Sequence, residues 1–289
     1  MSKSASSTED AALPSPPFVP VDGIPNFRDL GGYPVSTKPN HSVRQGIIYR
    51  CAEPSQVTPD GVGTLTKLGI THAYDLRSND EIERAVAAGR GGVTAWDGCK
   101  RVFAPVFTDQ DYSPEVLAVR FKDYATLGTE GFVRAYTSIL ENAPPSYSVI
   151  LSHLAHEPSK PLLLHCTAGK DRTGVICALV LSVCGVDDNT VAKEYALTEI
   201  GLSRQWKESV IEHLSVHPAL HGNMEGAWNM ISAKAENMLA VLKVVGEKYG
   251  SAEGYMIENC RLTKEEIEMI KSNLIIEGPL ASEKVQHSL

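Results

Sequence analysis

Apolar positions in this chain follow two rhythms. Short stretches over 27–33, 47–50, 70–76, 101–106 and 161–164 have the length of strands, and Leu162 to Leu164 in the last have the all-apolar character of a strand buried on both faces of a parallel sheet. Elsewhere apolar residues recur every three or four positions. Thr58-Pro59-Asp60 opens a helix with a capping hydroxyl and a first-turn proline, and Val62, Leu65 and Leu68 line its core face before Gly69 stops it. The pattern predicts further helices over 79–88, from Ser113-Pro114-Glu115, and on both sides of Pro144-Pro145, where Phe132, Tyr136, Ile139 and Leu140 share a face. Residues 173–183 are apolar all round, as in a core helix, and Asp188 opens the next one. A long amphipathic helix is predicted over 232–249, and Thr263 with Glu266 forms a capping box for a last helix that turns Ile267, Ile270 and Leu274 inward. Residues 202–226 show little periodicity and read as an insertion capping a site.

Strands alternating with helices predict an α/β fold: a small, mostly parallel central sheet flanked by helices, with a helical insertion after the helix at 173–183. Residues 1–20 are rich in Ser, Ala and Pro and read as a disordered tail, 21–276 as one domain, and 277–289 as a second tail.

Composition narrows the function. With 43% hydrophobic residues in 289, a sizeable core is available, and a net charge of −8 argues against nucleic acid as a partner. No run approaches the roughly 18 apolar residues of a membrane span, so no integral membrane contact is expected, and the start of the chain lacks the apolar core of a signal peptide. Six cysteines without regular spacing point to a reducing compartment, the cytosol or nucleus. His213, His217 and His221 are four apart, but Pro218 interrupts the helix that would align them, so no metal is expected.

The chemistry gathers between the strand at 161–164 and the helix at 173–183, in His-Cys-Thr-Ala-Gly-Lys-Asp-Arg-Thr-Gly. Cys166 falls at a helix N-terminus, where orphan N–H groups and the dipole favour negative charge, and Arg172 follows six positions on. Both features lower a thiol's pKa and favour the thiolate. None of the other five cysteines has arginine at that spacing. The amides of Thr167, Ala168, Gly169, Lys170, Asp171 and Arg172 form a nest for a phosphate ester, which the Arg172 fork meets bidentately. Attack on phosphorus by Cys166 gives a phosphocysteine, and Thr173 is placed to donate its hydroxyl to the departing sulfur. A Walker-type loop is excluded, because Leu164 and Asp171 stand where it needs Gly and Ser or Thr.

This loop, with Ile24-Pro-Asn-Phe-Arg-Asp-Leu-Gly-Gly-Tyr33 and Tyr74-Asp-Leu-Arg77 upstream, resembles the atypical tyrosine phosphatases of bacteria and fungi, from about Val21 to Ile276. The resemblance implies a cysteine-dependent phosphatase fold and a phosphorylated protein or peptide as substrate. Some members also act on phosphoserine, phosphothreonine or phosphoinositides, and no metal or organic cofactor is needed. The alternatives are a phosphoinositide or inositol phosphate phosphatase and a phosphate-binding module without turnover, the latter disfavoured because Cys166, Arg172 and Thr173 are all present. The resemblance makes Lys170-Asp171 part of the signature, Lys170 as a second cation for phosphate or a solvated loop lysine. Asn26, Arg28 and Asp29 are expected to prop the loop, and Asp75 and Arg77 to form a salt bridge. The leaving-group acid stays open: Asp109 comes first, with Asp111 behind it and Asp171 as the alternative, because no Trp-Pro-Asp loop is present. Cys51 stands where the family usually has serine, and at the end of a neighbouring strand it is a candidate to trap oxidised Cys166 as a disulfide.

Overall fold

The computed structural model describes residues 13–87, 89, 92, 95–108, 114–215 and 220–278. Its first half alternates strand and helix: β1 (Arg28–Asp29), β2 (His41–Val43), β3 (Ile48–Cys51), α1 (Pro59–Lys67), β4 (His72–Asp75), α2 (Asn79–Ala87) and β5 (Lys100–Phe103). Helices α3 (Pro114–Ala125), α4 (Glu130–Asn142) and α5 (Pro144–His156) lead to β6 (Leu162–His165) and α6 (Asp171–Val183). The chain continues through α7 (Asp188–Ala196), α8 (Thr198–Gly201), α9 (Arg204–Ser215), α10 (Met224–Ile231), α11 (Ala235–Tyr249), α12 (Ala252–Glu258) and α13 (Lys264–Leu274) to β7 (Ile275–Glu277).

Five strands form the central sheet in the order β1-β3-β6-β4-β5, all parallel except β1. The apolar run at 162–164 takes the middle place, where both faces are covered, and all three leucines are fully buried. Leu162 and Leu164 face the layer of α4, α5 and α6, while Leu163 joins Tyr49, Leu65 and Ile70 on the other side. In register, Cys51 and Asp75 flank His165, so three strands end together, and the loop carrying Cys166 leaves from that edge. The fold is the expected α/β arrangement, and the insertion after α6 is helical.

The differences have local causes. Residues 202–226, read as nearly aperiodic, contain α9 and the start of α10. The described apolar residues of α9 are few, Trp206, Val210 and Ile211; Trp206 and Val210 line a cavity, and Val210 also packs against the small cluster of Ile211, Ala227 and Ile231. The helix expected over 232–249 forms as α11 but begins at Ala235, because Ser232 caps the end of α10 in an extended conformation and Lys234 is extended as well. Residues 13–20, assigned to the tail, are attached: Phe18 is buried, bridges Arg28 and lies under its guanidinium at 5.6 Å. The pairing of β2 with β7 into a small antiparallel ribbon was not anticipated. Among the described residues no helix is long and apolar enough to cross a membrane.

Candidate active site

Between β6 and α6 the chain turns through residues 166–170. Gly169 takes φ +62°, and a Cβ there would lie 2.0 Å from the carbonyl oxygen of Cys51, so the turn requires glycine. Three donors hold the loop carbonyls against the body of the protein. Asn26 Nδ2 donates to Ala168 O at 3.1 Å, Arg50 Nη2 to Gly169 O at 2.7 Å, and the Glu53 N–H to Thr167 O at 3.0 Å. With the carbonyls tied back, the loop's interior is left to its amides. Cys166 is 1% exposed, yet it lines a cavity of about 470 Å³ together with Thr167, Ala168, Asp171 and Arg172.

Arg172 enters this cavity from the first turn of α6. Its Nη2 donates to Glu81 Oε1 at 2.7 Å and its Nη1 to Glu81 Oε2, a bidentate pair that fixes the plane of the guanidinium. The same Oε1 accepts from the Thr167 hydroxyl at 3.0 Å. Glu81 is held in turn by the first turn of α2, where it and Ser78 exchange side-chain to backbone bonds of 3.0 and 3.2 Å. Sequence reasoning passed over Glu81, although Ser78-x-x-Glu81 has the spacing of a capping box. Tyr147 donates to the Arg172 carbonyl at 2.6 Å from the opposite side.

A thiol and a bidentately held guanidinium thus stand around one tight turn. Residues 19–276 match the tyrosine phosphatase family. The chain belongs to that family. It is 27% identical over 268 residues to the triple specificity protein phosphatase PtpB of Mycobacterium tuberculosis, covering 82% of this chain and 91% of PtpB. It is 30% identical over 145 residues to a tyrosine-protein phosphatase of Nostoc commune, 48% of each chain. The protein is thus a hydrolase that takes phosphorylated substrates.

In this phosphatase Asp171 accepts from the Tyr136 hydroxyl at 2.7 Å and lies 3.3 Å from Lys170 Nζ, and it lines the cavity. Lys170 is buried, and so is not a solvated loop lysine. Its ammonium is directed to the carbonyls of Met230 and Ser232 at the end of α10 and faces the rings of Tyr124 and Phe132 at 5.5 and 5.2 Å. That cation therefore ties the loop to the helical insertion. The Thr173 hydroxyl is buried without a hydrogen-bond partner among the described residues, so the expected contact with the Cys166 sulfur is not made here. Asp109 and Asp111 lie outside the described residues.

The upstream motifs divide between two jobs. Asn26 and Arg28 prop the loop and α7, whereas Asp29 accepts from the Gly31 and Gly46 N–H groups at 2.8 and 2.7 Å and shapes the neighbouring bend. Asp75 forms the expected pair with Arg77 at 2.9 Å and a second with Arg101 at 2.8 Å. Cys51 packs with Tyr49 and Leu163, while Cys166 joins the core cluster on the other face of the sheet, and the Cys166 thiol is near enough to act electrostatically on that of Cys51. Burial also pushes the Cys51 thiol well up, which weakens it as an attacking thiolate.

This buried edge predicts how stability depends on pH. Burial pushes His165 down to about 4, against the partial pull of Asp75, and burial lowers His72 and His153 as well. Burial alone would raise the Asp75 carboxyl, but His165, Arg77 and Arg101 hold it well below the usual carboxylate range. A depressed histidine leaves the unfolded chain binding more protons, so stability falls as pH drops from the ordinary imidazole value toward about 4. His165 alone should remove about 2 kcal/mol between about pH 7 and 5. Urea midpoints that stay constant over that range would contradict a neutral buried His165.

Proposed function

We propose that the phosphatase hydrolyses aryl phosphates, phosphotyrosine first, through Cys166. The Cys166 thiolate attacks phosphorus, and the bond from phosphorus to the ester oxygen breaks as that oxygen takes a proton from a carboxylic acid. Water then attacks the phosphocysteine, the phosphorus–sulfur bond breaks, and inorganic phosphate leaves with the thiolate restored. Arg172 and the amides of residues 167–172 hold the equatorial oxygens throughout. The observation that carries this reading is the cavity in which Cys166 and the Glu81-fixed Arg172 stand together beneath aromatic walls. Phe107, Tyr124 and Trp206 give that cavity the flat apolar surfaces a phenyl ring needs.

The M. tuberculosis relative is named for triple specificity, which supports a range wider than phosphotyrosine here too. A phosphoinositide substrate would draw on Lys170 as a second cation, and the engagement of that ammonium with α10 speaks for the peptide substrate. A reducing compartment, cytosol or nucleus, agrees with six free cysteines.

The acid is assigned to Asp109, with Asp171 as the competing group. Asp109→Asn should slow phenyl phosphate and alkyl phosphates about 10²-fold or more while barely touching a nitrophenyl ester, whose leaving oxygen needs no proton. It should also flatten the alkaline limb of the pH–rate profile. The same pattern in Asp171→Asn, with Asp109→Asn normal, would move the role into the loop. Equal losses across leaving groups in both variants would leave neither as the acid.

A further inference from the structure

Beneath the loop lies an ionic cluster whose charges do not balance. Arg28 and Arg50 are fully buried, and between them stands one carboxylate, Glu194 of α7, 2% exposed. Arg28 Nε donates to Glu194 Oε1 at 2.7 Å and Arg50 Nη1 to Oε2 at 2.6 Å. The remaining donors go to neutral groups: Arg28 to Thr198 and Asn26, Arg50 Nη2 to Gly169 O. Arg50 Nε is buried with no hydrogen-bond partner among the described residues. Elsewhere around the loop each cation has a carboxylate within reach: Arg172 meets Glu81, Lys170 meets Asp171, and Arg77 and Arg101 meet Asp75, with Glu53 also on Arg77.

A surplus buried cation is costly unless something negative shares its site. Its position makes the cost worse. A Cβ added at Gly174 in the first turn of α6 would lie 3.5 Å from Arg50 Nη2, so the guanidinium sits at the positive end of that helix. The anions that belong at this end are a cysteine thiolate and a phosphate. The remaining titratable groups near Cys166 supply no negative charge, since Tyr147, Cys51 and Cys177 are kept neutral by burial and His165 is uncharged. Cys166 is itself among the groups that hold Arg50 charged against burial.

We propose that Arg50, shared with Arg28 on Glu194, is a positioning residue whose surplus positive charge holds Cys166 in its nucleophilic anionic form. The inference rests on Cys166 being the nucleophile. It adds a source of thiolate stabilisation from the sheet side of the loop, distinct from Arg172 and the amides in the cavity.

The test follows alkylation of Cys166 by iodoacetamide in the full chain from about pH 4 to about pH 9, counting the labelled Cys166 peptide by mass spectrometry. Neutralising the cation in Arg50→Met should move the midpoint of the alkylation curve up by about one pH unit. Glu194→Gln, which enlarges the surplus, should move it down. Arg50→Lys keeps the charge but loses the fork, so its midpoint should stay near wild type while kcat falls. Opposite shifts in the first two variants support the proposal, because damaged packing would move both the same way. A midpoint unchanged in folded Arg50→Met, or an upward or absent shift in Glu194→Gln, overturns it, and either variant suffices if the other does not fold. The reading of Cys166 as nucleophile is judged separately, by whether Cys166→Ser still hydrolyses an aryl phosphate.

Discussion

Cys166→Ser should lose at least about 10³-fold in turnover of an aryl phosphate and still bind a phosphate analogue such as vanadate or tungstate at close to wild-type affinity. The two halves of that result come from different atoms. Turnover needs a sulfur that is anionic at neutral pH, and a serine hydroxyl in the same place is not. Binding needs the amides of the loop and the Arg172 fork, which Glu81, Tyr147, Asn26 and Arg50 hold from outside and which the substitution does not touch. Arg172→Lys should fail in the complementary way. A point charge cannot bridge two equatorial oxygens, and Glu81 loses its bidentate partner, so about 10²- to 10³-fold in kcat is expected together with weaker analogue binding. Steady-state kinetics beside calorimetric titration of the analogue checks both variants. More than a few per cent of activity left in Cys166→Ser would remove the phosphocysteine route.

Gly169→Ala should destabilise the fold by about 2–5 kcal/mol, summing about 1–2 for a left-handed residue with a Cβ and about 1–3 for overpacking. The collision is with backbone, the Cys51 carbonyl at 2.0 Å, so no side chain can swing aside to relieve it. Relief requires moving the loop off the strand that anchors it, which takes the amides out of register with Cys166. Activity per folded molecule should therefore fall as well as the urea midpoint. Gly63→Ala is the control: nothing lies within 4 Å of its added Cβ, and in the interior of α1 it should stabilise by about 0.4–1 kcal/mol. A Gly169→Ala protein with wild-type midpoint and rate would mean that the loop is not packed against Cys51.

What could be read from the sequence is what depends on near neighbours in the chain. The strand at 162–164, the cysteine, the arginine six positions on and the helix after it form one continuous stretch, and the caps at Thr58 and Thr263 obey rules that span four residues. The residues that hold this stretch in shape come from far away. Glu81 meets Arg172 across 91 positions, and Glu194 meets Arg50 across 144. Each looks like an ordinary helix carboxylate, because burial and pairing leave no mark on a neighbourhood read by periodicity. The helix α9 escaped for a related reason: part of its apolar side faces a cavity, which asks for fewer apolar positions than a packed core. Lys170 was legible as a loop cation but not in its direction, since one of its acceptors is a carbonyl of a helix 60 positions later.

The small ribbon of β2 and β7 sets the order in which this fold can be finished. It pairs positions as distant as 41 and 277, and the Arg44 N–H reaches the Leu274 carbonyl beside it. A nascent chain leaving the ribosome therefore presents β2, already flanking the bend that leads into β3, with its edge unpaired until β7 has been synthesised. Contacts of such sequence separation form late because the loop they close is long. During translation that open edge is the surface on which a chaperone, or a second nascent copy, would find backbone groups waiting for a strand.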